Sequence, residues 1–155
     1  MTAHPMTDHA VRPIPRPELR LAGKVCITFL VLLGIGALAG GIALLAKPDG
    51  SVMKFDTALL AGSPFSDFAI PGLILGGLFG IGSFVVAGTG VARFRAAPFL
   101  AFAIGVAQMI WIVVELGIIK ELSFLHPMCF GLGLVIAASA VPWGWPTFQG
   151  WRAAR

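Results

Sequence analysis

The stretch QMIWIVVELGII, residues 108 to 119, holds an amide, Gln108, and a carboxylate, Glu115, in a run that is otherwise apolar. Such groups are costly inside a bilayer, so they face the protein interior or a cavity, where they often mark ion or proton paths. Two readings follow. Either Glu115 and Gln108 handle a proton or cation in a small transporter or channel subunit, or both are polar contacts between helices. Each helical residue advances about 100°, which places Ala97, Ala101, Gly105, Gln108, Ile112 and Glu115 within about 80° of one another. The polar pair therefore shares a small-residue face, bordered by Trp111. Glu115 precedes Lys120 by about 7.5 Å of helix axis and belongs near one end of the run. It is either a neutral acid or ionised against Lys47, Lys120 or His126, and the sequence admits both.

Other reactive residues point less far. Glu121, His126 and Cys129 are of the types that ligate zinc, but their spacing matches no metal motif and Pro127 intervenes. His4 and His9 stand in a proline-rich tail expected to be flexible. No nucleophile–base pair, phosphate-cradling glycine loop or dinucleotide fingerprint is present, because the glycine runs lie inside apolar segments. The expectation is a protein that is not an enzyme and holds no cofactor or metal. Cys26 and Cys129 fall near the starts of the first and fourth segments, which an up-down-up-down bundle puts at opposite faces of the membrane, and are expected to remain free thiols.

The elements that carry these residues are long and apolar. Hydrophobic residues make up 57% of the 155 and charged ones 12%, where a soluble domain carries about 25% charged. The charges cluster between apolar runs long enough to cross a hydrocarbon core of about 30 Å at about 1.5 Å per residue. The fold expected is all-α: a membrane-embedded, left-handed, up-down-up-down four-helix bundle, with helices near 25–46, 68–92, 96–119 and 127–143. A basic tail, 1–24, precedes the transmembrane domain, 25–143, and a short tail, 144–155, follows it. ALAG, residues 37 to 40, resembles a signal-peptide cleavage site, but the apolar run continues beyond it, so an uncleaved spanning helix is expected. Ser66 or Asp67 is suited to cap the second helix, with Pro71 in its first turn. Trp145 and Trp151 suit the headgroup zone.

Charge sets the orientation. Arg12, Arg16, Arg20, Lys24, Arg93, Arg95, Arg152 and Arg155 fall on one side; Lys47, Lys54 and Lys120 fall on the other with Asp49, Asp56, Asp67 and Glu121. Loops rich in lysine and arginine stay in the cytoplasm, so both termini are expected inside the cytoplasmic membrane. This explains the pI near 9.7 without a nucleic-acid partner.

Packing residues are legible too. Gly72, Gly76, Gly80, Ser83, Ala87 and Gly90 form a stripe about 80° wide on the second helix. Small residues let helix backbones meet, which matters in lipid, where no hydrophobic force drives helices together. Gly36 with Gly40, and Gly133 with Ala137, offer similar faces on the first and fourth helices. In the outer loop, Phe65 and Phe68 are expected to be exposed, either at the membrane interface or against a partner. The combination of GSPFSDFAIPGLILGG, IWIVVE and LHPMCFGLGLVI, within residues 25 to 140, resembles a group of small, uncharacterised bacterial integral membrane proteins. That resemblance implies four spans in a bacterial inner membrane and no particular activity. The leading expectation is an accessory subunit or homo-oligomer, with the lipid bilayer and a membrane protein or second copy as partners.

Overall fold

The computed structural model describes residues 19 to 119 and 123 to 153. The first eighteen residues, Lys120, Glu121 and Arg155 lie outside the described residues, as does the side chain of Trp151, so the expected flexible tail and part of the charge pattern fall there. Among the described residues every regular element is helical. Four helices are long and apolar enough to cross a membrane: α1 (Leu21–Ala46), α2 (Ala69–Val91), α3 (Ala97–Ile119) and α4 (Leu125–Ala153).

Contacts set the directions. Gly41 of α1 meets Gly76 of α2 while Gly34 meets Phe84, so residue numbers rise along one helix as they fall along the other. Gly105 of α3 meets Gly133 and Ala137 of α4, and Gly144 of α4 meets Pro98 of α3, again in reverse order. Each consecutive pair α1–α2 and α3–α4 is antiparallel. Trp143 of α4 sits against Gly23 of α1 and Gly90 of α2, which joins the two pairs. The central core draws on all four helices, with Leu30, Phe79, Ile104 and Ile136 among its buried residues.

Local chemistry explains the boundaries. Asp67 rather than Ser66 serves the start of α2: its carboxylate accepts the Ala69 N–H at 2.9 Å, and Pro71 lies in the first turn. α2 ends in a Schellman motif, in which the Phe94 N–H donates to the Thr89 carbonyl and the Arg93 N–H to that of Gly90. Arg93 adopts φ 56°, the left-handed conformation usually given to glycine. Ser123 starts α4 by accepting the Leu125 N–H on its hydroxyl and the His126 N–H on its carbonyl.

Two helices differ from expectation. α2 is not regular, because Ile74–Ile81 forms a π-helical stretch, with the Gly82 N–H donating to the Gly77 carbonyl. Gly76, Gly77, Gly80 and Gly82 leave few side chains there to hold the tighter α spacing. α4 begins before Pro127 and runs through Pro142 and Pro146 to Ala153, so residues 144 to 153 are helix and not tail. A membrane helix tolerates proline where neighbouring helices and serine side chains take over the freed backbone groups. Ser139, one turn before Pro142, donates to the Val135 and Ile136 carbonyls at 2.7 and 3.1 Å.

The α1–α2 loop is ordered by its own contacts. The Phe68 N–H donates to the Pro48 carbonyl at 2.9 Å and closes the loop at its neck. Two 3₁₀ turns, Ser51–Met53 and Thr57–Leu60, follow within it. The Ser51 N–H donates to Asp49, which holds that exposed carboxyl below the usual aspartate range. Gly50 has φ 81°, and a Cβ there would stand 2.7 Å from the Phe55 carbonyl and 2.9 Å from the Phe68 ring. Phe68, expected on the surface, is buried by that turn and stacks near Phe55 at 5.8 Å.

Candidate functional site

The loop covers one end of the bundle and encloses a second apolar cluster, built on Leu44, Leu60 and Phe68. Beneath it lies a cavity of about 50 Å³ between α1, α2 and α3. Phe55, Phe65 and Phe68 of the loop form its roof; Leu44, Leu75, Trp111 and Ile118 form its walls. Among the described residues Glu115 is the one charged side chain in its lining. The π-helical stretch of α2 shapes this wall twice, since it presents Leu75 to the cavity and places Phe79 against Trp111 with ring centroids 6.2 Å apart. π-helical turns inside α-helices often accompany functional sites.

Glu115 is half-buried; among the described residues His126 acts on it electrostatically from α4, without a direct hydrogen bond or ion pair. Lys47, one of the expected partners, interacts instead with Asp49. Lys120, another, lies outside the described residues. His126 approaches from α4 and faces a separate groove on the bundle exterior, lined with Ile112, Leu116 and Phe130. Its Nδ1 lies 3.0 Å from the Ser123 N–H and 3.3 Å from the Ser123 carbonyl, which ties the ring to the start of α4. Among the described residues no group of three histidine, cysteine or acidic side chains forms a metal cluster. Cys26 and Cys129 are both free, and Cys26 is buried with its thiol donating to the Ile136 carbonyl at 3.6 Å.

The polar pair is therefore split. Trp111 and Glu115 share the cavity, whereas Gln108 does not line it. Gln108 is 2% exposed, packed where its Cβ and Cγ would meet a side chain at Gly133. Its Oε1 has no hydrogen-bond partner. Three other buried polar atoms share that condition: Ser83 Oγ, Trp143 Nε1 and Thr147 Oγ1.

The expected packing glycines divide as well. A Cβ on Gly72 would stand 3.0 Å from Leu44, one on Gly76 3.4 Å from the Gly41 Cα, and one on Gly80 3.1 Å from Leu38, so the α2 stripe lies along α1. Ser83 continues it and is fully buried. Gly40 touches Leu75, but Gly36 has open space around it. On α1 the face toward α2 includes Gly34, Leu38 and Gly41, with Gly34 and Gly41 buried. α1 is apolar on every side, so a spacing of four or of seven between glycines was equally available as a contact face, and the partner helix selects the second.

The phenylalanine roof and Leu44, Leu75 and Ile118 were not singled out from sequence. Their signal is faint: three phenylalanines, at residues 55, 65 and 68, in a loop rich in turn residues. Trp143, whose place was not read from sequence, is 3% exposed against α1 and α2, while Trp145 is exposed and pairs with Phe148 at 6.0 Å.

The four apolar helices suggest a multi-pass membrane protein, and the loop closes an acid-bearing apolar pocket at one end of the bundle. The chain matches no family model, no curated protein and no solved structure. The resemblance to small four-span bacterial proteins thus rests on the quoted motifs and the number of spans.

Proposed function

We propose that this protein is a non-enzymatic, four-span subunit of the bacterial cytoplasmic membrane, with both termini inside, acting as an accessory or homo-oligomeric component. The orientation is supported by five arginines and lysines at the terminal end, Arg20, Lys24, Arg93, Arg95 and Arg152, against Lys47 and Lys54 in the opposite loop, among the described residues. The carrying observation is the closure of the interior. At Gly41–Gly76 and Gly105–Gly133 an added Cβ would stand 2.5 and 2.7 Å from the facing backbone, which leaves no passage along either seam. A chain packed in this way acts through its surfaces. Native mass in a mild detergent, with co-purifying chains identified, tests this reading; a lone monomer lacking any partner under several extraction conditions overturns it.

A second reading is favoured by one observation, the placement of Glu115 on the wall of an aromatic-roofed cavity. Here the protein handles a cation at that end of the bundle. Gln108 takes no part in it, because it faces α4 instead of the cavity. Glu115→Gln is expected to preserve folding and to abolish cation flux into proteoliposomes; unchanged flux in that variant removes the transport form of this reading.

A further inference from the structure

We propose that the cavity beneath the 48–68 loop binds a small organic ammonium ion, of methylammonium size, with Glu115 as its counter-charge and the aromatic roof as its seat. This deepens the second reading, on which it rests for Glu115 meeting a cation, and it requires no transport.

Size comes first. A cavity of about 50 Å³ exceeds the roughly 10–15 Å³ that admits one water but falls well short of the roughly 150 Å³ that takes up benzene. The occupant has a few heavy atoms at most inside, with any longer substituent leaving through the open side. Charge comes second. Among the described residues no lysine, arginine or histidine is in the lining, and His126 acts on Glu115 from the separate groove on the α4 side. The cavity-facing side of the carboxylate therefore has no cationic side chain of the described residues before it.

The remaining walls distinguish between cations. A divalent metal takes six or more oxygen ligands, and alkali ions are held by rings of carbonyls or carboxylates. The lining offers one carboxylate and no hydroxyl or amide side chain. It does offer Phe55, Phe65, Phe68 and Trp111. Aromatic faces attract ammonium groups, the more so when water is excluded, and alkyl carbons gain from the same apolar walls. An ammonium with a short alkyl group uses every feature present, whereas a bare metal ion leaves most of its coordination unmade.

Two sources supply such a group: a free amine in the aqueous phase, or the headgroup amine of an ethanolamine lipid reaching in from the same leaflet. The experiment is saturation-transfer NMR on the full-length protein in detergent, irradiating the aromatic protons and reading the methyl signal of methylammonium chloride. Transfer is expected for methylammonium, absent for methanol, and unaffected by sodium chloride at equal ionic strength. Glu115→Gln is expected to weaken binding roughly tenfold or more, the effect of losing one charge-assisted hydrogen bond. If that variant does not fold, Ile118→Phe keeps the carboxylate and fills the cavity, and it too should abolish transfer. Nanodiscs of ethanolamine lipid and of choline lipid separate the sources: loss of transfer only in the former assigns the site to the lipid amine, and equal transfer in both assigns it to a free amine. No transfer to the wild-type protein in detergent, equal transfer to methanol, or full transfer in a folded variant overturns the proposal. Flux measurements are independent of this outcome, so a binding site without transport leaves the proposal standing while the transport reading falls.

Discussion

The α1–α2 seam and the α3–α4 seam both bring backbone close to backbone, yet they rest on different residues. Between α1 and α2 the approach is one-sided: a Cβ at Gly41 would lie 2.5 Å from the Cα and N of Gly76, but one at Gly76 would lie 3.4 Å from the Gly41 Cα. Between α3 and α4 it is mutual, with Gly105 blocked by the Gly133 carbonyl at 2.7 Å and Gly133 blocked by that of Gly105 at 2.8 Å. The second seam also encloses Gln108, whose Oε1 is unpaired. Glycine count alone therefore says little about which glycine a seam needs. What decides is whether the missing Cβ would point at the partner's backbone, which cannot yield, or past it.

The largest expected effects come from placing bulk where backbone stands. Gly105→Leu and Gly41→Leu should each cost about 3 kcal/mol or more, the upper range for overpacking, and largely prevent assembly of the bundle. Gly76→Leu is expected to disrupt it as well, because a full side chain passes well beyond the Cβ position. Alanine sharpens the contrast. Gly41→Ala should cost about 1–3 kcal/mol, and Gly76→Ala less than about 1. Unfolding midpoints in a denaturing-detergent titration read both, and equal losses would remove the one-sided description of the α1–α2 seam.

Gln108 tests the other half of the comparison with the opposite sign. A buried acceptor left unmade costs about 1–3 kcal/mol, whereas an apolar group of similar shape removes that cost. Gln108→Met should therefore stabilise the protein by about 1 kcal/mol, read in the same titration. A loss of stability instead would mean that Oε1 has a partner in the membrane, and the α3–α4 seam would then be a polar contact rather than a strained one.

Much of this architecture was readable from residue order, for a physical reason that also sets the limit. In lipid a spanning segment must satisfy its own backbone, so long apolar runs can be read directly as helices, and the four spans follow. The face of α3 was legible because Gln108 and Glu115 break its uniformity, and Ala97, Ala101, Gly105, Gln108 and Ile112 are indeed buried together. α1 has no such marker between Val25 and Ala46, which is why Gly36 stood in for Gly34 and Gly41. The cavity was half legible: Glu115 and Trp111 stand out among aliphatic residues, but its roof depends on how Pro48 and Phe68 close a loop, a contact that residue spacing does not encode. The end of α4 beyond Trp143 was missed because Gly144, Pro146 and the more polar residues after them read as the end of an apolar run, although the helix continues to Ala153.

Arg93 has a smaller effect and bears on orientation. At φ 56° it occupies a conformation that costs a non-glycine residue about 1 kcal/mol, and glycine is the usual choice at that position of a Schellman motif. Arg93→Gly should stabilise the folded protein by about 0.5–1 kcal/mol. Under the proposed orientation it should also weaken the cytoplasmic bias of the α2–α3 connection, where Arg95 remains. Accessibility of a cysteine placed at Ala92 to a membrane-impermeant thiol reagent, in intact cells and in inverted vesicles, reads the second effect. A stabilised protein with unchanged orientation would show that the terminal arginines suffice.

The smallest expected effect on stability is the most informative about surfaces. Gly36 is exposed and has no neighbour within 4 Å, and Gly77 and Gly88 of α2 are equally open. Gly36→Leu should change the unfolding midpoint by no more than about 0.5 kcal/mol, because nothing within the chain meets the new side chain. Its native mass is a separate readout. If the subunit reading holds and α1 meets a second chain across this open face, the leucine will remove the higher-mass species while the melting of the bundle stays the same. If mass and melting are both unchanged, any contact with another chain lies elsewhere, and the loop over the Glu115 cavity becomes the next surface to alter.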